Sequence, residues 1–271
     1  MRLLLIARSF VFHGGVERAT AGLVGALVAR GHDVHLLGPG ATVPVAGVTL
    51  HPLRLPPLPA TARVLALAIL ARRAVVAGRW DVVQSHERTL CQQVYRAGEG
   101  CHRGYLASGA RTVGRGLYHR VVLAIEARLF RRTPAIVAIA RRGKHEIESL
   151  YGVSPARVTV IYNGVDLDRF HPENNAAHRD AARAEAGFAR TDPVLLFVGS
   201  GFERKGLTTA IQALSHLADT GLVVIGRGDE TRYRGLAERL GVGGRVRWLG
   251  LRLDLERWYA AADVLVLPAR Y

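Results

Sequence analysis

The stretch Val198-Gly199-Ser200-Gly201-Phe202-Glu203-Arg204-Lys205-Gly206 holds the residues with the clearest chemical use. Glycines let a backbone approach a ligand closely, and a helix N-terminus offers unpaired N–H groups and partial positive charge. Arg204 and Lys205 add two formal charges at the expected helix start, where they oppose the macrodipole. A bound anion resolves that conflict, because arginine offers forked hydrogen bonds and lysine a point charge to phosphate oxygens. The alternative is a solvated strand–helix turn with incidental basic residues. His86 and Glu87 close another apolar run, Trp80 to Ser85. They read equally well as groups facing a cleft or as an ordinary polar strand terminus.

The elements that must position these residues follow from the apolar pattern. Pro193 to Phe197 is a continuous apolar run of the kind a parallel strand buried on both faces needs. Leu207, Ile211 and Leu214 then recur at helical spacing. The chain opens the same way: a strand from Arg2 to Ala7, a loop from Phe12 to Arg18, a helix from Val16 to Arg30 closed by Gly31, and a strand from His32 to Leu37. This is the opening unit of a doubly wound parallel sheet, although the Gly-x-Gly-x-x-Gly dinucleotide fingerprint is absent. Strands are predicted at Val48–Leu53, Trp80–Ser85, Gln92–Glu99, Ala135–Ile139 and Val158–Ile161, with helices ending near Ala77, Phe130 and Tyr151. From His171 to Arg190 the pattern turns polar and alanine-rich, which predicts an interdomain linker with one short helix. The rhythm then restarts, with strands at Pro193–Val198, Leu222–Ile225, Val246–Leu249 and Val264–Leu267 and helices at Leu207–Leu217, Arg232–Leu240 and Leu255–Ala262. Two domains are expected, residues 1–170 and 171–271.

Composition narrows the partners. The formal charge is +15, and almost all of the positive charge is arginine, with Lys144 and Lys205 the only lysines. A basic surface suits nucleic acid, anionic lipid headgroups or phosphorylated substrates. Nucleic acid ranks last, because the aromatic and basic interleaving of such modules is missing. Cys91 and Cys101 are the only cysteines and lack zinc-site spacing, which fits a reducing cytoplasm. Arg2 to Ala7 is too short for a leader before Arg8 and reads as a buried strand. Val64 to Ala71, bounded by Arg63 and by Arg72-Arg73, falls far short of the roughly 20 residues a spanning helix requires. A core helix is expected there, with a helix resting on a bilayer as the alternative.

Four motifs in order then resemble one family: His13-Gly14-Gly15-Val16-Glu17-Arg18, Tyr162 to Phe170, Gly199 to Gly206, and Ala261 to Pro268. Together they resemble the GT-B retaining glycosyltransferases of family four. The Arg204-Lys205 variant, with Val94-Tyr95 leading to Glu99 and Cys101, looks like the lipopolysaccharide core glucosyltransferases of that family. The resemblance implies an α/β fold of two Rossmann-like doubly wound domains facing a cleft. It implies a nucleotide-sugar donor, UDP-glucose, and no metal. Gly14 and Gly15 would bring backbone N–H groups to the donor diphosphate, Arg204 and Lys205 would neutralise it, and Arg169 is a further candidate near the hinge. Glu99 and His102 are the candidate catalytic residues, either one stabilising positive charge on the sugar ring or orienting a hydroxyl. For His102 the competing account is an exposed loop histidine.

The implied acceptor is a lipopolysaccharide-core, oligosaccharide or other lipid-linked sugar, met peripherally at the anionic inner face of the cytoplasmic membrane. In the family a Glu-x7-Glu motif follows the strand that here ends at Leu267-Pro268, whereas the sequence stops at Tyr271. An incomplete second domain with little or no activity is therefore expected. The alternative function is a catalytically dead nucleotide- or anionic-lipid-binding protein.

Overall fold

The structure, a computed structural model, describes residues 1–7, 15–39, 44–108 and 116–269. The chain forms two compact units, Met1–Gly164 and Val165–Tyr271, so the division falls slightly before the break expected after residue 170.

The first unit is built on seven parallel strands: β1 (Arg2–Ile6), β2 (Asp33–Pro39), β3 (Val48–Leu53), β4 (Val82–Ser85), β5 (Val94–Ala97), β6 (Ala135–Ala138) and β7 (Val158–Val160). Their order across the sheet is β3-β2-β1-β4-β5-β6-β7. Parallel neighbours need crossover connections. Here these contain α1 (Gly15–Ala29), α2 (Ala60–Ala77), α3 (His102–Ala107), α4 (Gly116–Arg132) and α5 (Arg141–Tyr151). Both faces of β1 are buried, which is why its sequence is continuously apolar rather than alternating. Leu3 and Leu5 pack with Val24 of α1 and with Val34 and Leu36, while Leu4 and Ile6 pack with Leu37, Val83 and Ala71 of α2.

The hydrophobic run in α2 is not a core helix. Ala71 is its one fully buried residue, whereas Leu65, Ile69 and Val76 are 42%, 55% and 76% exposed. The sheet meets only the stripe carrying Ala71, Ala74 and Val75. A helix that is apolar all round therefore leaves its larger side chains in solvent.

The second unit has four parallel strands, β8 (Val194–Val198), β9 (Gly221–Ile225), β10 (Val246–Gly250) and β11 (Val264–Leu265), in the order β10-β9-β8-β11. One face of the sheet carries α6 (Asn174–Glu185) and α10 (Leu255–Ala261), whose Ala182, Trp258 and Ala261 meet Val194, Leu196, Val223 and Ile225. The other carries α8 (Leu207–Leu214) and α9 (Glu230–Arg239), packed on Phe197, Leu222 and Val224. A single helical turn, α7 (Phe202–Lys205), precedes α8.

The segment expected as a linker is largely α6, an integral layer of this unit. Its Arg183 is 2% exposed and fully used. It donates to the carbonyls of Ala261 (2.8 Å), Arg190 (2.7 Å) and Asp192 (2.8 Å) and to Asp263 Oδ2 (2.8 Å). Alanines and one satisfied arginine make a buried face that carries almost no apolar signal in the sequence.

Candidate functional site

In the second sheet the strand order reverses between β8 and β11, and open parallel sheets bind ligands beyond the strand C-termini at such a point. The Gly199–Gly206 turn leaves β8 there. The sequence predicts one helix from this turn, but two are present. Phe202 is buried against Phe197 and Tyr233 and anchors α7, and Gly206, with φ of 81°, breaks the chain before α8. A Cβ on Gly206 would lie 2.0 Å from the Pro268 carbonyl oxygen, so the turn lies directly against the chain leaving β11.

Arg204 and Lys205 therefore sit in the last turn of α7, not at the N-terminus of a long helix, and the macrodipole conflict does not arise. Their charge is still unbalanced. Neither side chain makes a hydrogen bond or ion pair among the described residues, whereas the neighbouring Glu203 lies 3.4 Å from Arg232. The Lys205 stem covers Gly199, where a Cβ would be 3.2 Å from Lys205 Cγ. Partial burial, then the charge of Arg204, lowers the Lys205 pKa. Two adjacent cations at strand C-termini are what an anion site requires.

Arg169 is placed differently from the sequence expectation. Its Nε donates to Glu256 Oε2 at 2.8 Å, and its Nη2 to Glu256 and to the Leu253 carbonyl, so it ties the segment after β7 to α10. That pairing gives it a structural role rather than a free charge for phosphate. Asp166-Leu167-Asp168 has Asp-x-Asp spacing, yet Asp166 Oδ1 accepts from the Arg169 amide at 3.0 Å and closes a local turn. Among the described residues no group of three His, Cys, Asp or Glu could hold a metal ion. Asp263, from the fourth motif, is also structural. It accepts from the Val194 amide at 2.8 Å and pairs with Arg179 and Arg183.

In the first unit the order reverses between β1 and β4. Gly14 lies outside the described residues, and Gly15 is the first residue of α1. His86, just past β4, is buried, with Nδ1 2.9 Å from Thr20 Oγ1 and Nε2 2.8 Å from Gln84 Nε2. Burial and then Arg96 push its pKa down to about 4, so the ring is neutral in ordinary buffers. This is the polar strand terminus of the two readings.

Glu99 stands on a tight turn after β5, where Gly100 has φ of 71°. Its side chain is 41% exposed and lies 3.3 Å from Arg88 Nη1. Arg88 Nε in turn donates to Glu126 Oε1 at 3.3 Å. Glu126 is fully buried and accepts from the His102 amide at 2.8 and 2.9 Å, from the Arg103 amide at 3.4 Å and from the Tyr151 hydroxyl. His102 is thus not a loose loop histidine. It opens α3 with its amide on Glu126 and its Nε2 2.9 Å from His119 Nδ1, and burial followed by Arg88 lowers its pKa. Glu99 and His102 therefore share one carboxylate-centred network. Glu126 escapes the sequence reading, although its signal is present: it is an acid on the Val122, Ile125, Leu129 and Phe130 stripe of α4.

Comparison with known proteins agrees with the motifs. Residues 13–169 match the family described as Glycosyltransferase Family 4, and residues 178–271 match Glycosyl transferases group 1. The chain belongs to glycosyltransferase family 4. Within the family it is 33% identical over 129 residues to the lipopolysaccharide glucosyltransferase WaaG of Escherichia coli K12, covering 46% of this chain and 34% of that protein. It is also 33% identical over 208 residues to a D-inositol 3-phosphate glycosyltransferase of Xylanimonas cellulosilytica, covering 72% of this chain and 46% of the relative. The chain thus spans a third to a half of the length of these family 4 relatives. Its fold is GT-B. The crystal structure of WaaG superposes with a TM-score of 0.84 at 24% identity, over 99% of this chain and 75% of that one. Anabaena HepE in complex with UDP-glucose superposes with a TM-score of 0.68 at 16% identity, over 99% and 74%.

Proposed function

We propose that this family 4 chain serves a retaining transfer of hexose from a nucleotide sugar to a lipopolysaccharide-core or other lipid-linked acceptor. The observation that carries the proposal is the unpaired Arg204-Lys205 dyad on a glycine turn at the β8/β11 switch point. UDP-glucose is the proposed donor, in line with the lipopolysaccharide glucosyltransferase among the relatives. Negative charge grows on the leaving diphosphate as the sugar–phosphate bond breaks. Arg204 and Lys205 then bind it more tightly than in the intact donor, which lowers the barrier. The amides of Gly14 and Gly15 are proposed to add donors to the diphosphate.

The cations take the role a metal would otherwise fill, and no metal is proposed. The leaving phosphate oxygen accepts the proton of the acceptor hydroxyl while that oxygen forms the new bond on the same face of the sugar. Glu99 carries negative charge on an exposed turn, held in place by Arg88. It is proposed to stabilise the positive charge that develops on the ring. His102, mostly buried and neutral, is proposed to orient a sugar hydroxyl rather than to exchange protons. The proposed setting is the cytoplasmic face of a membrane, reached through the basic surface and the exposed apolar side chains of α2.

The test is transfer from UDP-glucose to lipopolysaccharide-core acceptor, with Glu99→Gln beside the unaltered protein, each joined to a family 4 C-terminal segment because this chain spans only a third to a half of these relatives' length. The variant removes a charge and little volume, so KM for donor should hold while kcat falls at least tenfold. Unchanged kcat would reassign Glu99 to structure.

A further inference from the structure

The loops that leave β8 and β9 are joined edge to edge. Val198 is in register with Ile225, and the Gly199 amide donates to the Ile225 carbonyl at 2.9 Å. Two residues further on, the Gly201 amide donates to the Arg227 carbonyl at 2.8 Å and the Arg227 amide to Ser200 Oγ at 3.2 Å. Gly226, with φ of 140°, permits this approach, because a Cβ there would lie 2.2 Å from the Gly199 carbonyl oxygen. The backbone of Arg227 is thereby clamped to the turn that carries Arg204 and Lys205.

The Arg227 side chain is exposed and has no hydrogen bond or ion pair among the described residues. A single solvated arginine would carry no argument. Its company does. Fourteen lysines and arginines are described in this unit, and ten of them reach carboxylates or backbone carbonyls. The four that do not are Arg204, Lys205, Arg227 and Arg239. Three of those four stand on the two clamped loops. The local acids do not neutralise them: Glu203 pairs with Arg232, and Asp229 caps α9 by accepting from the Arg232 amide. Like charges held together without partners repel, and a bound anion removes that repulsion.

We propose that Arg227 is the third cation of this site and contacts a phosphoryl oxygen together with Arg204 and Lys205. The inference rests on the reading that a diphosphate binds at the Gly199–Gly206 turn. Its chemical sense is one of charge. An esterified diphosphate carries two negative charges, and the diphosphate released by glycosyl transfer carries about one more. A third cation favours the released form, and with it the transition state that resembles it.

Calorimetry with inorganic pyrophosphate tests this on the full chain, comparing it with Arg227→Gln, Arg227→Lys and the double variant Arg204→Ala/Lys205→Ala. Loss of one charge-assisted contact predicts about tenfold weaker binding for Arg227→Gln, with Arg227→Lys recovering part of it and thermal unfolding unchanged. Unaltered affinity in Arg227→Gln, alongside loss of binding in the double variant, would remove Arg227 from the site and leave the site standing. Absence of pyrophosphate binding by the unaltered chain would overturn the diphosphate reading itself, and this inference with it.

Discussion

At the scale of single residues, the buried carboxylate of Glu126 organises the candidate catalytic groups without reaching substrate. It satisfies two amides at the start of α3, a tyrosine hydroxyl and the arginine that holds Glu99. Removing it leaves Arg88 as a mostly buried cation without its innermost partner. Glu126→Ala should therefore lose about 3–5 kcal/mol of stability, the range for breaking one side of a buried pair. Urea denaturation measures this, and a loss below about 1 kcal/mol would show that the network is dispensable. Glu99→Gln, by contrast, should denature with the unaltered chain, because exposed ion pairs contribute little. The residue scale also shows what a sequence can disclose. Arg204 and Lys205 are legible because their signal is local, two charges on a glycine turn after an apolar strand. Glu126 is not, since its partners come from α5, from the start of α3 and from the loop after β4. Arg227 is hidden for a related reason. Its meaning comes from the clamp to Ser200 and Gly201, across a strand pairing that the sequence does not display.

At the scale of elements, parallel strands buried on both faces announce themselves as continuous apolar runs, so nearly every strand was legible. Helices were less so. In α2 the composition suggests a core helix, yet what decides burial is which stripe the sheet meets. The helix expected from Leu207 is present as α8, but the separate turn α7 before it is not foreseen, because the break at Gly206 is set by Pro268, some sixty residues away in the chain. The alanine-rich α6 reads as a linker because its inner face is held by two guanidiniums, Arg179 and Arg183, rather than by large apolar groups. Arg183→Ala removes the donor from the Arg190 and Asp192 carbonyls, while Asp263 keeps Arg179 and the Val194 amide, and should cost the second unit about 2 kcal/mol or more. Guanidinium denaturation followed by tryptophan fluorescence would register it, since Trp258 packs in the same cluster. A midpoint unchanged from the parent would mean that α6 is merely appended to the unit.

At the scale of the whole molecule, charge and exposed apolar surface are the features on which the proposed membrane contact rests. The chain carries a formal charge of +15, and α2 presents Leu65, Ile69 and Val76 beside exposed Arg63, Arg72 and Arg73. No helix among the described residues is long and apolar enough to cross a membrane. Peripheral binding should therefore require anionic vesicles and weaken as salt rises, because the screening length is already about 8 Å at physiological ionic strength. Cosedimentation with neutral vesicles that persists in high salt would instead assign the contact to insertion of α2. The proposed diphosphate site lies in the second unit, where a glycine turn at the β8/β11 switch point carries Arg204 and Lys205, which make no hydrogen bond or ion pair among the described residues. Titration calorimetry with UDP tests it most directly, comparing the unaltered chain with Arg204→Ala/Lys205→Ala. Two charge-assisted contacts at about 1.5–3 kcal/mol each predict a loss of at least a hundredfold in affinity. Thermal unfolding should change little, because neither side chain makes a hydrogen bond or ion pair among the described residues. Equal UDP affinity in the two proteins would contradict the account.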